Sequence, residues 1–334
     1  MSDNEDTERT GSQTETTTGG FHHLPVMVEE IVELVLPVPP GTIVDATLGG
    51  GGHSARLLQA RPDCRLVGID RDQHALAAAG DRLAEFGDRV RLVHSRFDNL
   101  AKIMTDLQVN DVSAVVFDLG VSSPQLDRAD RGFSYRNDGP LDMRMDTTRS
   151  WAATDVVNGY EVSELAEVLR VNGDERFADR IARAIVANRP IESTAQLASV
   201  VRDAIPAAAR RKGGHPAKRT FQAIRIEVND ELSLLPAAVD AAIAVTQPGG
   251  RVLALSYHSG EDRILKERFR LASTGGCACP PQLPCVCDAV QTVRVVRPMT
   301  RRPSASELAR NRRAESARLR VVERIGSFVR PAAG

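Results

Sequence analysis

Apolar and polar positions follow two regimes along the chain. Up to residue 118, short continuous apolar runs alternate with amphipathic stretches. Ile43-Val44-Asp45, Leu66–Asp70, Val90–Val93 and Ala114–Asp118 read as strands, and His53–Ala60 and Gln73–Glu85 as helices. Strands that are apolar throughout belong to a parallel sheet covered on both faces. From about Leu126 to Thr220 the spacing turns helical and no strand is evident. Phe177, Ile181 and Ile185 recur every fourth residue, and Leu197, Val200, Val201 and Ala204 follow i, i+3, i+4, i+7. Ser193-Thr194-Ala195-Gln196 is a capping pattern at the start of that helix. Alternation resumes at Phe221 with a long helix expected to bend near Pro236. A turn at Gln247-Pro248-Gly249-Gly250 and a fifth strand, Val252–Ser256, follow. Thr292–Val296 and Leu319–Val322 read as a closing antiparallel pair, with a helix starting at Ser304 between them. The pattern predicts an α/β domain in two parts, residues 21–125 and 221–330, with an all-helical insertion at 126–220.

Composition adds less. The chain has 334 residues, 42% hydrophobic and 26% charged, an ordinary globular balance with room for a sizeable core. Residues 1–20 are polar and acidic with almost nothing to bury, so a disordered tail is expected. No apolar run is long enough for a membrane span, and Met1 is followed by acids and polar residues rather than a signal peptide, which points to a cytoplasmic protein with no membrane partner. The net charge of −1 conceals two basic stretches: eleven Arg against three Glu from Arg294 to Arg330, and six Lys or Arg with no acid from Arg210 to Arg225. Such stretches suit a polyanion, or are solvated helix faces.

The candidate chemistry starts at Asp45-Ala46-Thr47-Leu48-Gly49-Gly50-Gly51-Gly52-His53. A strand, a glycine turn and a helix bring backbone amides to the carboxyl edge of a sheet, where a ligand can approach closely. Asp70 ends the next strand, placed to take the two hydroxyls of a ribose, and Asp118 ends the fourth. In the dinucleotide fingerprint the first glycine follows the strand almost directly; here four residues intervene. A strand-end Asp before the glycines suits S-adenosyl-L-methionine, whose sulfonium and ammonium are cationic. A nicotinamide-dependent oxidoreductase is the alternative that this spacing disfavours.

Several blocks carry a family resemblance: Asp118-Leu119-Gly120-Val121-Ser122-Ser123-Pro124-Gln125-Leu126-Asp127, Arg131-Gly132-Phe133-Ser134, Asp138–Asp146, Gly173–Ala178, His215–Arg225 and His258–Arg263. Together they resemble the RsmH/MraW family of bacterial small-subunit ribosomal RNA methyltransferases, from about His22 to Ile325. The resemblance implies a class I, Rossmann-like methyltransferase sheet with a helical insertion. It also implies methylation of the exocyclic N4 of a cytidine in the decoding centre of 16S rRNA, with S-adenosyl-L-methionine as donor and the small ribosomal subunit as partner. The cofactor contacts it implies are Gly51, Gly52, His53, Asp70, Phe97, Asp118 and Gln125. Gly51, Gly52 and His53 face the methionine part, Phe97 packs on adenine, and Asp118 and Gln125 border the methyl group.

Cytosine N4 is a poor nucleophile because its lone pair is delocalised into the ring, so the site must align it and accept its hydrogens. Asp118 is the expected acceptor or proton sink, with Asp142 or Asp146 as alternatives unless Arg144 or Arg149 holds them. A backbone carbonyl near Ser122 is a further acceptor. Ser122-Ser123-Pro124-Gln125 departs from the Pro-Pro-aromatic turn of many amino-methyltransferases, so Phe133 or Tyr135 must supply the stacking surface. Lys218, Arg219, Arg225 and His258 are the RNA-binding candidates, with Arg310, Arg312 and Arg313 behind them. Two rival functions stay open: a cofactor-binding ribosome assembly factor without turnover, and a DNA cytosine-N4 methyltransferase. The oligomeric state is not legible, and a homodimer stays open. Cys277-Ala278-Cys279 and Cys285-Val286-Cys287 form a C-x-C pair of pairs. That spacing is tighter than zinc sites usually show, so reduced thiols and no metal are expected.

Overall fold

The computed structural model describes residues 25–210, 214–280 and 286–329; the expected disordered tail, residues 1–20, lies outside them. Among the described residues seven strands form one sheet: β1 (Thr42–Asp45), β2 (Arg65–Asp70), β3 (Val90–His94), β4 (Val112–Asp118), β5 (Thr246–Ser256), β6 (Val290–Val295) and β7 (Arg318–Val329). Their order is β3-β2-β1-β4-β5-β7-β6. The first five are parallel, and β7 lies between β5 and β6, antiparallel to both.

The apolar runs bury both faces because successive side chains point opposite ways. Ile43, Leu66, Val116 and Leu253 pack on one side with helices Val28–Val35, Gly52–Ala60 and Gln73–Leu83. Val44, Val67, Val115, Phe117 and Ala254 pack on the other with helices Leu100–Asp106, Glu231–Val245 and Ser259–Thr274. The order reverses between β1 and β4, which opens a crevice at the carboxyl ends of these strands.

A third apolar cluster belongs to the inserted helices Ala153–Gly159, Val162–Gly173, Ala178–Ala187 and Thr194–Ala204, through Val156, Leu165, Ile181, Ile185, Leu197 and Val201. It also takes Phe221, Ile224 and Val228 from helix Lys218–Asn229, beyond residue 220. The Ser193 hydroxyl accepts from the Gln196 amide at 3.3 Å, as the capping pattern predicts.

Two local expectations are corrected. The long helix breaks at Asp230, not at Pro236: Asp230 adopts a left-handed φ of 54° between helices Lys218–Asn229 and Glu231–Val245, with its carboxylate 3.1 Å from Arg149. Pro236 sits inside the second helix, where its missing N–H forfeits a single hydrogen bond. Residues Gln247–Gly250 are absorbed into β5 as a bulge rather than standing apart as a turn. Val112 pairs with Thr246 while Ala114 pairs with Arg251.

Candidate active site

The four glycines serve different ends. Gly49 and Gly51 have φ of 52° and 72°, which side-chain-bearing residues rarely adopt. Gly51 is buried, its amide donates to the Leu48 carbonyl at 2.9 Å, and a Cβ there would lie 3.3 Å from Ala79 and Leu83. Gly52 faces Pro25, whose ring an added Cβ would meet at 2.7 Å. Gly50 alone has neither a positive φ nor any atom within 4 Å of an added Cβ. Gly50 is not among the expected cofactor contacts, yet it is the one of the four whose bareness neither its backbone conformation nor the protein's own packing requires.

Asp45, Asp70 and Asp118 end β1, β2 and β4, so the parallel register lines them along one sheet edge. Burial pushes the Asp45 carboxyl up to about 6, and the nearby Asp118 charge adds to this; Ser54 Oγ at 2.6 Å, the His53 charge and the Thr47 amide pull the other way. Burial likewise raises Asp70, although its oxygens accept from the Gly49 amide at 2.7 Å and the Asp72 amide at 2.8 Å. Among the described residues no Lys or Arg forms an ion pair with any of these three carboxylates. A partly buried negative edge of this kind fits a ligand with a sulfonium and an ammonium, and opposes a pyrophosphate.

Asp118 is held from two sides. The Tyr257 hydroxyl donates to Oδ1 at 2.6 Å, and His53 Nδ1 lies 3.6 Å from Oδ2. Burial and the Asp118 charge raise the Tyr257 phenol well above its ordinary value, so it stays a donor. His53 Nε2 sits 2.8 Å from the Val26 carbonyl, which can only accept, so Nε2 carries the hydrogen. The Asp118 amide donates to Thr47 Oγ1 at 2.6 Å. Tyr257 and Thr47 were missed in the sequence. Tyr257 directly follows the fifth strand, and nothing in the sequence shows where its hydroxyl points.

The other expected site residues divide. Gln125 is buried, donating to Asp72 at 2.9 Å and accepting from the Ser122 amide at 3.1 Å. The Ser122 carbonyl accepts from the Leu126 amide at 3.3 Å, as the start of a helix rather than as a group left for a ligand. Phe97 is buried, edge-on to Phe117 and with the Arg71 guanidinium over its ring at 5.3 Å. Asp142 is taken by Arg144 through Nε at 2.8 Å and Nη2 at 2.6 Å; burial opposes its charge, but Arg144 holds the carboxyl below its usual range. Asp146 accepts from Thr148 and lies 3.9 Å from His94. Neither proposed stacking ring is open: Phe133 is buried, and Tyr135 stacks on His215 at 4.5 Å.

These contacts seat the loop 131–149 on the sheet edge. Arg131 pairs with Asp72 at 2.9 Å, both nearly buried, and Asn229 clamps the Met143 carbonyl and the Met145 amide at 2.7 and 2.8 Å. Of the RNA-binding candidates, Lys218 and Arg219 are exposed at the start of helix Lys218–Asn229, with Arg219 donating to the Asp174 carbonyl at 2.8 Å. Arg225 is not available to a phosphate, because it forms a two-pronged pair with Glu231 at 2.9 Å for each contact, both side chains largely buried. His258 is also turned inward: it caps helix Ser259–Thr274, with Nδ1 accepting from the Glu261 amide at 3.4 Å.

A Rossmann-like sheet whose switch-point edge offers an acid for a ribose and carboxylates for a cation marks a methyltransferase that uses S-adenosyl-L-methionine. The comparison with known families is more specific: the chain belongs to the MraW methylase family, whose model matches residues 20–325. Two curated relatives, each named ribosomal RNA small subunit methyltransferase H, are similar over nearly their whole length. That of Symbiobacterium thermophilum is 50% identical, covering 91% of this chain and 97% of the relative. That of Thermobifida fusca is 52% identical, covering 90% and 93%. The corresponding protein of Mycolicibacterium smegmatis is 48% identical, covering 91% and 84%.

Proposed function

We propose that this protein transfers a methyl group from S-adenosyl-L-methionine to the exocyclic N4 of a cytidine in the decoding centre of 16S rRNA, with the small ribosomal subunit as partner. The observation that carries the amine chemistry is Asp118, fixed at the sheet edge by Tyr257 and facing His53. The choice of rRNA is supported by the relatives' names and the choice of N4 by the family resemblance. The helical insertion is the substrate-side unit, and exposed Lys218 and Arg219 are its phosphate contacts. No helix among the described residues is long and apolar enough to cross a membrane.

When bound, the cofactor supplies a methyl group made electrophilic by its sulfonium. Gly50 leaves the main chain open to it, and Asp70 takes the ribose hydroxyls on lone pairs its two amide contacts do not use. His53 Nδ1 lies 3.6 Å from Asp118 Oδ2. Asp118 Oδ2 accepts an amine N–H and then holds the proton the nitrogen loses. Tyr257 keeps the carboxylate from rotating away.

The test is transfer of labelled methyl from S-adenosyl-L-methionine to small subunits from cells lacking this protein, with the product nucleoside identified. N4-methylcytidine at one site is expected; a different nucleoside, or none, overturns the reading. Asp118→Asn is expected to lower kcat by at least about 100-fold while the melting temperature persists.

A further inference from the structure

Residues 275–289 join helix Ser259–Thr274 to β6 with little to bury. Among the described residues of this link only Ala289 is buried, and Val286 is 82% exposed. Yet its base is closed tightly. A Cβ at Gly275 would meet the Val290 backbone at 2.6 Å, and the Gly276 and Cys277 amides turn back onto the Leu271 and Thr274 carbonyls at 3.2 Å each. Closing the base gathers three thiols: the Sγ atoms of Cys277, Cys279 and Cys287 all lie within 4.8 Å of one another.

We propose that Cys277, Cys279 and Cys287 bind one zinc ion, which clips this link together. A tetrahedral zinc with bonds of about 2.3 Å holds its sulfurs roughly 3.8 Å apart, so the three atoms need close by only about 1 Å. Thiolates select a soft divalent cation over magnesium or calcium. The fourth position goes to water or another side chain; Cys285 lies outside the described residues and the proposal does not depend on it. The C-x-C spacing spoke against a metal, but the fold brings Cys287 to the first pair. The ion's role is structural. Cys277 follows the C-terminal end of helix Ser259–Thr274, while Tyr257 and His258 precede its start, roughly 24 Å away along a helix of 16 residues. An ordered metal does here what a buried core does elsewhere.

The full-length protein, purified in reductant without chelator, is to be analysed for bound metals by mass spectrometry, and metal-free protein titrated with Co²⁺ alone. One zinc per chain, its loss in Cys279→Ser, and a thiolate-to-cobalt charge-transfer band in the unmodified protein are expected. Removing the metal should speed hydrogen exchange in the link and leave methyl transfer within about two-fold. Absence of both zinc and the cobalt band overturns the proposal, as does a disulfide among these cysteines in the purified protein. Full zinc content in Cys279→Ser overturns the ligand assignment even if the variant is otherwise altered.

Discussion

Gly51 is held at φ 72° against Ala79 and Leu83, whereas its neighbour Gly50 faces open space. Gly51→Ala is therefore expected to cost roughly 1–2 kcal/mol of stability from backbone strain. Gly50→Ala should leave the melting temperature within about 1 °C and weaken cofactor binding at least tenfold by titration calorimetry. Unchanged affinity would show that the ligand does not pass over Gly50. Asp45 carries a pH dependence. Its folded value, about 6, lies above its ordinary value of 3.8, so the native state binds the extra proton between the two. Stability of the cofactor-free protein should fall as pH rises from about 4 to 6, by roughly 2–3 kcal/mol in all. Asp45→Asn should abolish that fall in urea titrations. A cationic ligand relieves the same cost only once the carboxyl is ionised, so cofactor affinity should rise as pH passes through about 6 in the native protein.

Helices and strands are set by local patterns, but their joints depend on single polar side chains. Asn229 ends helix Lys218–Asn229 and satisfies the Met143 carbonyl, the Met145 amide and the Arg225 carbonyl while buried. Asn229→Ala leaves these groups unpaired and should cost about 3 kcal/mol. Hydrogen exchange at residues 143–149 should then accelerate ahead of the sheet. Exchange that changes uniformly would mean the loop is not anchored there. The strand runs, the capping serines and the helical spacing of Ile181 and Ile185 were legible in sequence because each is a repeat of a few residues. The break at Asp230 was not legible. An Asp tolerates a left-handed conformation without demanding it, and what favours it here is Arg149, 81 residues away in the chain.

At the scale of the whole molecule, surface charge and internal charge have separated. Arg225 and Glu231 pair with both side chains largely buried, so Arg225→Ala strands a buried carboxylate and should cost roughly 3–5 kcal/mol. Lys218→Ala, on an exposed face, should leave stability within about 0.5 kcal/mol. It should weaken binding to the small subunit, and reduce the slope of log affinity against log salt by about one. If both variants only weaken RNA binding, with stability intact, the assignment of Arg225 to the fold is wrong. The basic stretch from Arg210 to Arg225 looked uniform in sequence, and only the packing of its last turn against Glu231 divided it.

By itself the sequence determined the α/β alternation and the carboxylates at three strand ends, because parallel strands put their last residues on one edge whatever else the chain does. It also singled out the glycine loop. Tertiary structure decided which of those glycines is open, that Tyr257 and His53 flank Asp118, that Asp142, Arg225 and His258 are held by protein partners, and that three cysteines converge. Each of these depends on the direction of a side chain relative to residues distant in the chain. Such directions are fixed by packing, which no local pattern encodes.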